Sequence, residues 1–498
     1  MSRVLLVSNR LPATASLDGA KVTLTRAAGG LATGLGALHD QWNSAWVGWP
    51  GDVGAFNSRQ QRRLTKLLAD GRMVPVYLDQ DDVDSYYHQV SNEMLWPVCH
   101  SLLDRMRPCP QSWQSFRAVN ERFAEVVVET ARPGDIIWVN DYHLALLPAL
   151  LRDRLPHARI GFFLHIPFPP ADIFAALPWR EEFLRGILGA DLVGFHTPEY
   201  RAHFVASLSR SLDVRVADSR LLWQGRGVTL GAFPMGVDAE RWDAISRSDD
   251  TLAQALTIRE SAPGTTIIAS VDRLDYTKGI LHRLQAIERL LATYPELRTR
   301  IRVIQATVPS REAIDDYAGH RRSVDELVGK INGEYAAAAG APIVNVHRPL
   351  GEVELAAIYR AADVFMVTPL RDGMNLVAKE FVAARTDNDG VLVLSEFAGA
   401  AAQLRTALIV NPFDLDGVAR RMVEAIEMSP AERARRMATL RRSVAREDLR
   451  WWATSFLAAV EGGFASTLAH RGAGRVGPSH RVAAHGNVVR TGVKAKVT

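Results

Sequence analysis

Asp363-Val364-Phe365-Met366-Val367-Thr368-Pro369-Leu370-Arg371-Asp372-Gly373-Met374-Asn375-Leu376-Val377-Ala378-Lys379-Glu380 reads as strand, loop and helix. Val364–Val367 is a short apolar run rich in β-branched residues, Pro369 ends it, and a helical pattern starts at Asn375. Asp372 and Gly373 fall where that helix should begin, and a helix start offers unpaired backbone N–H groups and partial positive charge to an anion such as a diphosphate. Gly373 lets the backbone approach a ligand closely, Asp372 can accept hydrogen bonds from sugar hydroxyls, and Glu380 can accept a pair from ribose hydroxyls. An Asp N-cap, a turn glycine and a solvated Glu would account for the same residues. The rest of the chain has to decide.

Outward from this stretch, short apolar strands alternate with helical segments. Strands are expected at residues 4–7, 136–139, 160–165 and 192–195, then at 266–271, 301–304, 343–346, 364–367, 391–394 and 408–410. Buried parallel strands separated by helices mean α/β layers, and 498 residues exceed what one core supports. The expected fold class is α/β, with two Rossmann-like doubly wound domains facing across a deep cleft at the carboxyl ends of their strands. The divisions are an N-terminal domain at 1–243, a C-terminal domain at 244–450, and a helix at about 451–469 that packs back, completing the N-terminal domain and reaching across both. Residues 12–28 read as a mobile polar loop.

Hydrophobic content of 47% and charged content of 23% are ordinary for a globular protein. Residues 471–498 carry Arg471, Arg475, Arg481, Arg490, Lys494 and Lys496 and no acid, so removing that +6 from the net +4 leaves −2 for residues 1–470. The basic balance belongs to a tail that reads as disordered, which argues against a nucleic-acid partner. Cys99 and Cys109 form neither a disulfide framework nor a zinc spacing. No apolar run approaches the length of a membrane span, so a cytoplasmic protein without a membrane partner is expected.

Ser270-Val271-Asp272-Arg273-Leu274-Asp275-Tyr276-Thr277-Lys278-Gly279 also links a strand to a helix. Arg273 and Lys278 can both address one diphosphate, the first through a planar fork and the second as a point charge, and so stabilise a leaving group that gathers negative charge. A surface salt-bridge pair is the plainer alternative. In the first half, Asp141 and His165 leave the ends of apolar strands, where such folds place function; His143 reads as structural. Tyr87 and Trp96, within residues 86–97, suit a sugar face and a phosphate oxygen, although an aromatic satellite core fits equally. Arg10 and Arg311 can supply a fork for a phosphomonoester. Gly29-Gly30 after the first strand lets backbone amides reach a ligand. The Asp79, Asp81, Asp82 and Asp84 run has the spacing of a metal-binding transferase but reads as a solvated loop, and residues 414–418 do not make a phosphatase loop.

The assembled loops resemble the trehalose-6-phosphate synthase family, retaining glycosyltransferases of GT-B type, over about residues 1–465. The resemblance rests on Ser8-Asn9-Arg10, Gly29-Gly30-Leu31, Asp141-Tyr142-His143, residues 161–169, Arg273-Leu274-Asp275-Tyr276-Thr277-Lys278-Gly279 and residues 371–380. It implies transfer of glucose from a nucleoside diphosphate glucose, UDP-glucose first and ADP- or GDP-glucose as alternatives, to glucose 6-phosphate. It assigns the diphosphate to Arg273 and Lys278, donor glucose to Asp372 with the Gly373, Met374 and Asn375 backbone, phosphates to Leu376 and Val377 N–H groups, and ribose to Glu380. The acceptor phosphate falls to Arg10, Tyr87, Trp96 and Arg311; Asp141 and His165 orient the sugars, and Trp49 and Gly30 line the cleft. It further implies no cofactor in the site, a divalent cation at most stimulating, and a homo-oligomer. Residues 12–28 are longer than the family minimum.

Overall fold

The computed structural model describes residues 2–18, 21–26, 30–51, 53, 56–309, 315–336 and 340–462. Ten strands belong to the first half: β1 (Val4–Arg10), β2 (Ala13–Asp18), β3 (Lys21–Arg26), β4 (Ser44–Trp49), β5 (Met73–Pro75), β6 (Ile136–Asn140), β7 (Arg159–Phe163), β8 (Leu192–Phe195), β9 (Arg220–Trp223) and β10 (Arg226–Ala232). Eight of them form one sheet in the order β5-β4-β1-β6-β7-β8-β10-β9, parallel except where β9 pairs with β10. The second sheet contains β11 (Thr266–Arg273), β12 (Ile301–Val308), β13 (Ile343–His347), β14 (Val364–Val367), β15 (Val391–Ser395) and β16 (Leu408–Val410). Its order is β13-β12-β11-β14-β15-β16, parallel throughout.

Both sheets run outward in one direction from their first strand and then restart on its other side. Such a reversal opens a crevice at the carboxyl ends of the two central strands. In the first sheet these are β1 and β6, which end at Arg10 and Asn140; in the second they are β11 and β14, which end at Arg273 and Val367. The chain order therefore puts the ends of β1, β6, β11 and β14 where a cleft ligand would lie.

Each expected strand is present; Leu192–Phe195, Val364–Val367 and Leu408–Val410 match their bounds, whereas the run at 4–7 extends to Arg10. Residues 12–28 differ from the expected polar loop. Ala13–Asp18 and Lys21–Arg26 form an antiparallel hairpin that buries Ala15 and Val22, with Ala15 N–H donating to Pro50 O at 2.8 Å. Alternation in Val22-Thr23-Leu24-Thr25 is the signal that the polar composition obscured. The C-terminal helix is described over Leu449–Gly462 and lies on the first sheet, with Trp452 and Phe456 packed against Trp138 at 5.1 and 4.7 Å between ring centroids. The extension of that helix to 469 and the 471–498 tail lie outside the described residues. Among the described residues no helix is long and apolar enough to cross a membrane.

Candidate active site

On the first sheet the register between β1 and β4 shifts from Val7 opposite Val47 to Arg10 opposite Trp49, one more residue on β1 than on its partner. Such a bulge re-aims the side chain that follows it. Ser8-Asn9-Arg10, beyond the strand expected at 4–7, thus remains strand and delivers the Arg10 guanidinium 4.3 Å from the Trp49 ring and 5.3 Å from the Tyr87 ring. Trp49 is buried, and its indole N–H has no partner among the described residues.

Tyr87 lies on a 13-residue π-helix, Val83–Leu95, which Trp96 follows. The wider turn is supported by side chains that reach back five residues: Ser91 Oγ donates to Tyr86 O at 2.8 Å and Asn92 Nδ2 to Tyr87 O at 2.7 Å. π-helical segments are rare and concentrate at functional sites. Asp79 and Asp82 begin this segment as a reciprocal capping box, and Asp82 is buried in an ion pair with Arg122. The run is therefore helical and not a loop: Asp82 is a buried anchor, while Asp79, Asp81 and Asp84 are exposed as expected. No group of three His, Cys, Asp or Glu side chains among the described residues can hold a metal ion. Asp414 caps the helix Leu415–Glu427 through Gly417 N–H at 2.8 Å.

At the end of β6, Asp141 has φ 75°, a left-handed conformation rare for a residue with a side chain. It accepts from His165 N–H at 3.1 Å, which ties the ends of β6 and β7 together. The His165 Nε2 lies 3.0 Å from Asn140 Oδ1, while Asn140 Nδ2 donates to the Trp138 and Val7 carbonyls. That pattern makes Nε2 the donor. Burial, with His196 nearby, holds His165 well below its ordinary pKa, so the ring is neutral with its lone pair on Nδ1. His143 stacks on Tyr87 at 5.9 Å between ring centroids.

The second sheet contributes charge. Lys278 Nζ donates to Asp372 Oδ2 at 2.6 Å, and Asn375 Nδ2 to the same oxygen at 3.0 Å. Burial alone would raise the Asp372 pKa, but the Lys278 charge and these hydrogen bonds outweigh it and hold the carboxyl below its ordinary value. The helix begins at Leu376, later than expected, because Asn375 takes the cap with φ 71° and accepts from Ala378 N–H at 3.1 Å. Leu376 and Val377 are then the first two helical residues, whose N–H groups have no intrahelical acceptor. Asp372 instead braces the turn before the helix, accepting from Met374 N–H at 3.3 Å. Glu380 is half-buried and accepts from the Tyr359 hydroxyl at 2.9 Å; burial pushes its carboxyl up to about 7 against that bond. Arg273 is exposed, with its guanidinium 5.8 Å from the Trp96 ring across the cleft.

Below these loops, sequence reasoning missed Arg283. It is buried and donates to Asp272 Oδ2 at 2.5 Å, Gln305 Oε1 at 3.1 Å and Thr368 Oγ1 at 3.2 Å, joining the ends of β11, β12 and β14. Its position five residues after Lys278, on the inward face of the helix Ile280–Thr293, was the available signal.

The two halves meet at these loops. A Cβ on Gly373 would stand 2.3 Å from His165 O, and the Tyr200 hydroxyl donates to Asp372 O at 3.0 Å. The loops that carry Arg10, Trp49, Tyr87, Trp96, Asp141 and His165 thus meet those that carry Arg273, Lys278 and Asp372–Val377, while the Glu380 carboxyl is held by Tyr359 of its own half. Gly30 opens the helix Gly30–Gln41 after β3, and Arg311 and Gly29 lie outside the described residues.

Residues 2–462 match the model of glycosyltransferase family 20. The chain belongs to that family. A trehalose-6-phosphate synthase from Mycobacterium avium is 44% identical over 471 residues, covering 92% of this chain and 95% of the relative. A bifunctional trehalose-6-phosphate synthase/phosphatase from Thermoproteus tenax is 41% identical over 466 residues, and there the family 20 chain spans only 63% of the relative's length. Among solved structures, the E. coli trehalose-6-phosphate protein bound with UDP-2-fluoro glucose superposes with a TM-score of 0.83 at 35% identity, covering 93% of this chain and 99% of the other. An α,α-trehalose-phosphate synthase (UDP-forming) from Burkholderia xenovorans, in complex with glucose-6-phosphate, gives 0.84 at 33% identity, covering 92% and 100%. The family 20 chain is a glycosyltransferase with the GT-B fold.

Proposed function

We propose that the protein is an α,α-trehalose-phosphate synthase that transfers glucose from UDP-glucose to the anomeric hydroxyl of glucose 6-phosphate with retention, releasing UDP and trehalose 6-phosphate. The observation that carries the reading is the meeting of two unlike switch points: one with an exposed arginine over two aromatic rings, the other with paired cations and two helix-start amides. An arginine fork over rings suits a sugar phosphate; two cations at a helix start suit a diphosphate. The Burkholderia xenovorans and E. coli structures, with glucose-6-phosphate and a UDP-sugar respectively, support the same two ligands.

In the proposed step the bond from the glucose anomeric carbon to the diphosphate oxygen breaks and a bond to the acceptor oxygen forms on the same face. The acceptor proton passes to the departing phosphate oxygen. Arg273, Lys278 and the Leu376 and Val377 amides stabilise that oxygen's charge, which amounts to electrostatic catalysis. Lys278 must exchange part of its contact with Asp372 for the diphosphate, which frees an Asp372 oxygen for a sugar hydroxyl. Asp372, bound to Lys278 and Asn375, and Asp141, bound to the His165 amide, are braced as acceptors, which favours this route over a carboxylate nucleophile. Glu380 takes the ribose. With residues 1–243 as the acceptor half and 244–450 as the donor half, the protein is proposed to work as a cytoplasmic homo-oligomer. The cations of the site replace a resident metal, and a divalent ion is at most stimulatory.

The test is nucleotide release from UDP-, ADP- and GDP-glucose, each with glucose 6-phosphate and with glucose, the product being identified by NMR. Release that requires the 6-phosphate, fastest with UDP-glucose and giving an α,α-linked product, is expected. Equal release with unphosphorylated glucose would overturn the acceptor assignment.

A further inference from the structure

Lys379 is buried at 1% exposure on the helix Leu376–Ala384, one residue before Glu380. A buried ammonium normally has a carboxylate partner. Among the described residues this one has none within ion-pair distance; the charge of Glu447 acts on it only from further away, and burial outweighs that and presses it down to about 7. Its hydrogen bond goes to the main chain: Nζ donates to Met235 O at 2.5 Å.

Met235 lies in the segment that leaves β10 of the first sheet and enters the helix Ala239–Ser246. Its peptide is gripped on both sides, since its N–H donates to His196 Nδ1 at 3.4 Å from the end of β8. The return crossing lies beside it. Leu449 N–H donates to Val237 O at 3.1 Å, and a Cβ on Gly236 would stand 2.2 Å from the Asp448 carbonyl carbon. Both chain crossings between the halves are therefore in contact at the point where Lys379 is anchored.

We propose that Lys379 is a positioning residue: its bond to the Met235 carbonyl fixes the donor helix, with its Leu376 and Val377 amides and Glu380, at a set orientation to the acceptor half. The proposal rests on the donor and acceptor reading above. It follows that either substrate meets, already formed, the arrangement that the other also needs; with the bond removed, the first to bind must restore that arrangement and the second then binds more tightly.

The test is Lys379→Met, which keeps the length of the chain and removes the donor. Isothermal titration calorimetry would give dissociation constants for UDP and for glucose 6-phosphate, each alone and with the other saturating. Each ligand alone should bind about three- to tenfold more weakly than to wild type, the tightening of each by the other should rise by a similar factor, and kcat/KM for transfer should fall about tenfold or more. Wild-type affinity for each ligand alone together with wild-type coupling would overturn the proposal. So would weakened binding of UDP alone with the coupling retained, since Lys379 would then only shape the donor pocket. Where circular dichroism shows Lys379→Met unfolded, Lys379→Gln, a shorter neutral donor, replaces it with the same weakened single-ligand binding and raised coupling expected. If wild type releases no nucleotide with glucose 6-phosphate, the substrate reading fails by itself. The clasp is then judged by small-angle scattering, where Lys379→Met should have a larger radius of gyration than wild type, and an unchanged radius overturns it.

Discussion

The two sheets share one strand order and hold their switch points by opposite means. At β1 and β6 the arrangement is made of rings: Arg10 lies over Trp49 and Tyr87, and Tyr87 stacks on His143. At β11 and β14 it is made of buried charge: Arg283 with Asp272, and Lys278 with Asp372. A stacked guanidinium stays solvated and adaptable, whereas buried pairs have already lost their water and are fixed by each other. The contrast fits a donor side that must stabilise charge developing in a transition state and an acceptor side that must admit and release a phosphate.

The largest expected effect breaks the buried side. Arg283→Met leaves Asp272 buried and unpaired, so unfolding should become easier by about 3–5 kcal/mol. Adding Asp272→Asn should recover part of that, and a chemical-denaturation double-mutant cycle measures the coupling. Additive losses would show that the pair is not the unit we describe. Next, Lys278→Ala should cost about 2 kcal/mol or more in kcat/KM while circular dichroism shows the fold retained. Undiminished turnover would remove Lys278 from the mechanism.

On the stacked side the effects are smaller and fall on binding. Arg10→Lys keeps the charge but loses the planar fork, so the KM for glucose 6-phosphate should rise about tenfold with stability unchanged within about 0.5 kcal/mol. A stability loss as large as that of Arg283→Met would abolish the contrast. The smallest effect is a pH dependence. Glu380, pushed up to about 7, binds more protons folded than unfolded between its ordinary carboxylate value and about 7, so its contribution to stability falls as pH rises through that window. Ionisation makes it a better acceptor for ribose hydroxyls, and donor binding should tighten by about two- to fivefold from pH ~6 to ~8. Titration calorimetry of UDP across that range checks it; Glu380→Gln should show a shallower dependence than wild type, and an identical one would remove Glu380 from it.

Local periodicity made the sheets legible. Runs such as Leu192–Phe195 and Val364–Val367 carry their strand signal in four residues, and the loops that follow them carry their chemistry in residue type. Where composition hid the period, as in the hairpin at 13–26, or where a buried capping residue was read as solvated, as at Asp82, the reading failed. What the sequence by itself determined, then, is which strands form, which loops leave their carboxyl ends, and which family the motifs resemble, because all of these are encoded within a few neighbouring residues. Tertiary structure alone decided that a bulge aims Arg10 at Trp49, that Lys278 finds Asp372 across 94 positions, that Arg283 joins three strands, and that Lys379 reaches Met235 across 144. Those pairings exist only once each sheet has packed with its helices and excluded water, since only there does an unpaired charge become costly enough to select its partner.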